Sequence, residues 1–227
     1  RTVKFQFSSG ALGFNEISLN DIEVYSVPDK SILLAPTGKI TLINGTLEAK
    51  SISGGILLLN ENSYVNLSDS EPLLNDVDVY LNSNSSWVRL ENVNPNKVFD
   101  DFSSQLFVSD VVANYPSNIR FDNYYDQGTV IRPHNDNLSP LTIYSDENSS
   151  GTSADILIDQ VFSGSSIPNQ LNNNIESFYL KRGYMLTLAS NFDGTGKSKV
   201  YIASNEDLEL ISLPEFLRNN VSFIRIV

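Results

Sequence analysis

The last third of the chain contains its own copy, and that duplication limits the fold more than any other feature. Tyr144 sets on Leu188, Gly151 on Gly196, Ser153 on Ser198, Pro168 on Pro214 and Ile175 on Val221, the offset moving only from 44 to 46 residues. Each copy reads as an alternating strand (residues 141–144, or 184–188), a Gly-bearing hairpin and a second strand. An irregular arch with a Pro follows, then Asn-Asn ahead of a last strand (residues 175–180, or 221–227). A unit of this length cannot bury its apolar face alone, so the copies are expected to share a core about a pseudo-twofold.

Residues 141–151 and 191–194 resemble the aromatic-x-x-x-x-aromatic-x-Gly hairpin of the βγ-crystallins. Residues 202–208 through 219–225 resemble the second half of one such Greek-key motif. Ser149 stands where that family usually has an aromatic residue, and the second hairpin counts one residue longer. The resemblance implies a βγ-crystallin-like domain of two Greek keys over residues 139–227. It also implies Ca²⁺ ligands, because the family carries Asn/Asp-Asn/Asp-x-x-Ser/Thr-Ser ahead of the last strand of each motif. Hard cations take oxygen donors, which a short arch can supply from carbonyls, carboxamides and hydroxyls. The ligands implied here are Asn172, Asn173 and Glu176 from the first copy and Asn219 and Ser222 from the second. Glu176 replaces a hydroxyl, and Arg218 puts a cation beside a cation site, so the implied affinity is low. The residues alone also allow a plain turn, since Asn tolerates left-handed backbone angles.

Residues 180–188 through 221–227 further resemble the segment ahead of the catalytic part of some large secreted bacterial glycoside hydrolases. That implies a secreted or cell-surface protein, an enzyme proper lying after Val227, and a chain here that is a piece of a longer one.

Residues 1–138 carry no such signature. Short alternating runs recur every 8–12 residues or so between polar turns, which predicts an all-β chain opening with a jelly-roll-like β-sandwich. Asn44-Gly45 reads as a tight-hairpin dipeptide. The phrase at 19–25 (Leu-Asn-Asp-Ile-Glu-Val-Tyr) is echoed at 74–80, too briefly to establish a repeat. One short helix is expected after Asn96, with Val98, Phe99, Phe102 and Leu106 on one face. The polar, proline-bracketed run 133–140 reads as the linker.

The 15 basic and 27 acidic residues leave a net charge of −12, and no Lys/Arg cluster offers phosphate a footprint. Nucleic acid is therefore not an expected partner. No apolar run approaches membrane-spanning length, so insertion is not expected either. The chain has no cysteine, which removes disulfides, thiolate metal sites and Cys nucleophiles.

An acidic surface suits divalent cations or uncharged glycans. Aromatic rings stack on sugars while Asn and Asp read hydroxyls, and Tyr115, Phe121, Asn123, Tyr124 and Tyr125 form the densest such cluster. Tyr124, Tyr125 and Asn123, with the single Trp87, are the candidate glycan contacts. Each has a bland alternative as a core residue. Catalytic signals are weak. The single His134 sits in the expected linker, and Asp100-Asp101 would project about 100° apart on a helix, poorly placed to flank a glycosidic bond. The expectation is a non-catalytic accessory region with polysaccharide and low-affinity Ca²⁺ as ligands. A purely structural or adhesive calcium-stabilised protein is the alternative, and a glycoside hydrolase with its site in residues 1–140 stands behind both.

Overall fold

The alternation in the first half of the chain serves parallel ladders. In the computed structural model, strands Val24–Val27, Thr46–Ala49, Tyr64–Leu67 and Trp87–Glu91 pair in parallel one after the next. Tyr25, Leu47, Val65 and Val88 therefore stack in one fully buried column. A second parallel ladder runs through Leu12–Asn20, Ile32–Ile43, Ile56–Leu59, Asp78–Leu81 and Leu106–Val108. Its inward columns are Ile17, Ile40, Leu57, Val79, Leu106 and, beside it, Leu19, Leu42, Leu59, Leu81. A short third face stacks Ile32, Ile52 and Leu74. The chain thus winds as a three-sided parallel coil in which each turn packs on its neighbours, a solenoid. The structure describes residues 2–3, 12–21, 24–68, 74–123, 128–135, 137–158, 161–203 and 206–227.

The all-β class holds, but the expected jelly-roll sandwich does not. Such a sandwich is built from antiparallel strands, and here strand pairs from 12 to 108 run parallel. Both arrangements give the same period-two pattern, because side chains alternate on any strand. Asn44-Gly45 makes no hairpin. Asn44 takes φ 52° at a solenoid corner, as Asp21 (56°) and Asn62 (46°) do. The Asn62 amide donates to Asn44 Oδ1 at 3.1 Å, and the Asn82 amide to Asn60 Oδ1 at 3.3 Å. The two echoing phrases occupy different faces. Leu19 lies under Leu42 on the second face and Leu74 over Ile52 on the third, leaving Tyr25 buried but Tyr80 stacked on Phe107 at 4.6 Å.

One end of the coil is closed by the helix Pro95–Phe102 and an antiparallel pair, Ile119–Asn123 with Gly128–Pro133, added to the first ladder. The helix starts two residues earlier than expected. Asn94 is the cap, its Oδ1 accepting from the Asn96 N–H at 2.9 Å, and Pro95 has no N–H to leave unpaired. Val98 and Phe102 are buried, while Phe99 faces out.

The chain divides into two compact units, Arg1–Asn135 and Asp136–Val227. In the second, Ser150–Ile156, Leu141–Asp146, Ser177–Leu180 and Leu208–Leu210 form one antiparallel sheet in that order, and Val161–Ser163, Phe223–Ile226, Met185–Ala189 and Ser198–Ile202 form another. Each copy therefore keeps three strands in its own sheet and gives its third strand to the other's. The halves cannot part without breaking both sheets. Leu141, Ile143 and Phe178 face Leu186, Leu188 and Ile224 across one buried core.

The duplication is more regular than its sequence alignment. The Ser145 hydroxyl accepts the Thr152 N–H, and Ser190 the Lys197 N–H, so both hairpins have the same length. The Glu176 N–H donates to the Tyr144 carbonyl and the Ser222 N–H to that of Ala189. Tyr144 thus corresponds to Ala189, not Leu188; a one-residue slip exchanges the core face for the outer face.

Candidate functional site

The two arches are built by matching backbone bonds. The N–H groups of Leu171 and Asn172 donate to the Pro168 carbonyl, and those of Leu217 and Arg218 to Pro214. Asn173 and Asn219 both adopt left-handed angles, φ 55° and 52°. The Asn173 N–H then crosses to the Val221 carbonyl at 3.2 Å, and the Asn219 N–H to that of Ile175 at 3.1 Å. This reciprocal crossing brings the implied ligands together in two pairs.

The pairs differ in chemistry. In one, the Ser222 hydroxyl donates to Asn173 Oδ1 at 2.9 Å. Two neutral oxygens at that spacing suit one edge of a calcium shell, whose ligand oxygens about 2.4 Å from the ion stand roughly 3 Å apart. Among the described residues, Asn172 Oδ1 in the same arch is buried without a hydrogen-bond partner. In the other pair the Asn219 amide N–H donates to Glu176 Oε1 at 2.7 Å. Here nitrogen meets oxygen, and one oxygen of the carboxylate already accepts a hydrogen bond. Among the described residues no three His, Cys, Asp or Glu side chains are grouped to hold a metal ion. A cation here has to draw on carboxamide, hydroxyl and backbone oxygens, a donor set that fits Ca²⁺ rather than a softer metal.

The hairpins over the arches also differ. Ser177 fixes the first by donating to the Asp146 carbonyl at 2.6 Å while accepting the Ser149 N–H at 3.1 Å. Its Glu147 carboxylate accepts from Ser212 Oγ at 2.8 Å and pairs with Arg218 Nη2 at 2.9 Å. At the second tip, Asp193 Oδ1 accepts the Thr195 hydroxyl and N–H, which hold its carboxyl below the usual carboxylate range. Phe192 beside it is 69% exposed.

The solenoid carries the other candidate. Phe99, Tyr115 and Phe121 line an open cleft of about 450 Å³ together with Pro95, Asn96 and Asp100. The Tyr115 and Phe121 rings stack at 5.6 Å, and Phe99 meets each edge-on at 6.1 Å. Phe99 and Tyr115 remain 42% and 47% exposed, unusual for two large rings in contact. The sequence singles out Tyr115 and Phe121 and puts Phe99 on one helix face with Val98 and Phe102, whereas in the structure Val98 and Phe102 are buried and Phe99 is not, because helical spacing alone does not distinguish the two sides of an apolar stripe. Tyr124 and Tyr125 lie outside the described residues, and for Asn123 the structure describes the strand pairing with Thr129. Trp87 is no surface platform. It is 7% exposed and packs on Tyr64 at 4.7 Å.

His134 is not a solvated linker residue. It is half-buried, its Nδ1 2.8 Å from the Pro116 carbonyl and its Nε2 3.2 Å from Arg120 Nη2. A carbonyl can only accept and a guanidinium can only donate, so Nδ1 carries the proton in the neutral tautomer. Among the described residues no helix is long and apolar enough to cross a membrane, which says nothing of strands.

No protein-family model and no curated protein matches the chain. Among solved structures it is similar to a βγ-crystallin domain from Flavobacterium johnsoniae at 27% identity, over 39% of this chain and 93% of that one, with a TM-score of 0.34. The N-terminal domain of protein S is 25% identical over 38% and 93%, at 0.32. A clostrillin double mutant in complex with nickel is 17% identical over 38% and 94%, at 0.33. The strand exchange and crossed arches themselves define the second unit as a crystallin-like double Greek key.

Proposed function

We propose that this chain is a non-catalytic binding region of a secreted polysaccharide-degrading protein. A segment of uncharged polysaccharide lies in the cleft of the solenoid, and Ca²⁺ bound between the arches stabilises the crystallin-like unit. The observation that carries the glycan reading is the cleft. Two partly exposed rings, Phe99 and Tyr115, stand beside Phe121 with Asn96 and Asp100 lining the same cleft, which suits a sugar's apolar face and its hydroxyls. Calcium would supply a point charge that draws oxygens of both arches together, adding stability through linkage. Asn173 and Ser222 would hold it, with Asn172 Oδ1 available nearby.

Electrophoresis of the chain in gels containing laminarin, agarose, xylan or mannan tests the glycan role. Retardation in at least one gel, lost in Phe99→Ala/Tyr115→Ala, is the expected result; equal mobility in all four rejects it. The arches favour a second reading, a structural or adhesive protein stabilised by calcium and without a glycan ligand. A melting temperature raised by CaCl₂ together with unretarded migration would select it.

A further inference from the structure

One nitrogen in the crystallin-like unit lies among three oxygens of different kinds. Arg218 Nη2 is surrounded by Glu147 Oε1 at 2.9 Å, Ser212 Oγ in short contact, and the Leu213 carbonyl at 3.4 Å. Two of those oxygens, Glu147 Oε1 and Ser212 Oγ, are 2.8 Å from each other. A carboxylate, a hydroxyl and a carbonyl converging on one point form the kind of donor set that a hard cation takes. From this we infer that the guanidinium of Arg218 is a resident cation, closing the first hairpin onto the second motif's arch without metal and keeping Ca²⁺ out of that half.

The pseudo-twofold provides the control. The carbonyl bonds that place Arg218 at Pro214 place Asn172 at Pro168, so the two residues are mates. Glu147 corresponds to Phe192 and Glu176 to Ser222. The half with Glu147 and Glu176 is also the half with the guanidinium; at the matching positions the other half has Phe192, Ser222 and Asn172. Its Asn172 Oδ1 is buried without a partner among the described residues, whereas Arg218 reaches three oxygens. Both members of the Arg218–Glu147 pair are about two-fifths exposed, so the pair itself adds little stability. What it changes is cation occupancy. A guanidinium fixed among these oxygens repels Ca²⁺ and fills its place.

The inference rests on the cation reading of the arches, yet it can fail separately from it. Calorimetric titration and thermal melts with CaCl₂ on the full chain would compare the wild type with Arg218→Asn, Arg218→Lys and Glu147→Gln/Arg218→Asn. Arg218→Asn should bind one more Ca²⁺ per chain than the wild type. Its melting temperature should rise by roughly 5 °C more in about 10 mM CaCl₂. Arg218→Lys, which keeps a cation, and the double variant, which loses the carboxylate, should respond as the wild type does. If Arg218→Asn is unfolded in chelator, CaCl₂ should restore its far-ultraviolet circular dichroism. An Arg218→Asn chain with wild-type stoichiometry and wild-type melting response, or one that calcium fails to refold, would overturn the inference. The wild-type titration reports on the other half alone: a silent wild type beside a responsive Arg218→Asn would reject calcium there and leave the role of Arg218 standing.

Discussion

The two arches of the crystallin-like unit share one backbone and carry different chemistry. Carbonyl bonds from Pro168 and Pro214, left-handed Asn173 and Asn219, and the crossed bonds to Val221 and Ile175 repeat almost atom for atom. Around that frame, one half presents Asn172, Asn173 and Ser222, all neutral. The other presents Glu176, bonded to an amide, and Glu147, bonded to a guanidinium. Backbone bonds set the turn whatever the side chains do, because the Asn residues satisfy a conformational need first. Chemistry is then free to diverge, and here one half pairs a carboxamide with a hydroxyl while the other pairs its carboxylates with an amide and a guanidinium.

The comparison can be broken most forcefully in the core. Ile175 and Val221 are mates, both fully buried. Ile175→Ala should cost about 2–5 kcal/mol and Val221→Ala somewhat less, about 2 kcal/mol, by urea denaturation. A near-zero cost at one of them would mean the halves do not share a core. Gly151 (φ 79°) and Gly196 (φ 80°) are mates in the hairpins. A Cβ would come within 2.3 Å of the Ser145 hydroxyl at one and 2.6 Å of the Ser190 hydroxyl at the other. Alanine at either should cost about 1–3 kcal/mol, and similar losses would show that the hairpins are equivalent under load.

Tyrosine titration sharpens the contrast from the alkaline side. In the first motif, Tyr179 is pushed up to about 12 by its hydrogen bond to Asp207, with burial and the nearby carboxylates adding. In the second, Tyr201 is pushed up to about 12 by burial alone. A pKa raised on folding means that the folded state holds the proton longer. The stability contributed is complete below the unfolded value of about 10 and is lost as pH rises through about 12. Tyr201→Phe should flatten that loss by up to about 2 kcal/mol between these limits; an unchanged alkaline midpoint would contradict it. The smallest effect is expected for Glu147→Gln near neutral pH, under about 1 kcal/mol, because the pair with Arg218 is half in water. A loss several times larger would mean the ion pair is structural.

The crystallin-like unit was legible in the sequence because its repeat is long, nearly ungapped and marked by turn residues such as Gly151, Gly196, Asn173 and Asn219. The solenoid was not, for a physical reason. Its coils measure 22, 18 and 23 residues from Tyr25 to Leu47, Val65 and Val88, so no fixed period emerges. Stacking constrains only which residues face inward, and Leu, Ile and Val interchange freely in those columns. Parallel and antiparallel strands leave the same alternating trace, so Asn44-Gly45 read as a hairpin when it is a corner. At the sites, Asn172, Asn173, Glu176, Asn219 and Ser222 were named copy by copy through the family resemblance, but that Asn173 meets Ser222 and Asn219 meets Glu176 across the copies is seen only in the structure. The neighbours Glu147 and Ser212, 65 residues apart in sequence, are brought together only by the exchanged strands. The aromatic cleft needed the helix geometry, which turns Phe99 outward and buries Val98.

The proposed division between an open and a closed arch is tested most directly by following backbone amide resonances of the full chain during a CaCl₂ titration from calcium-free buffer. Shifts should concentrate at Asn172, Asn173 and Ser222 while Glu147, Ser212 and Leu213 stay in place. Silence at both arches at millimolar calcium, or shifts centred on Glu147 and Ser212, would contradict that division.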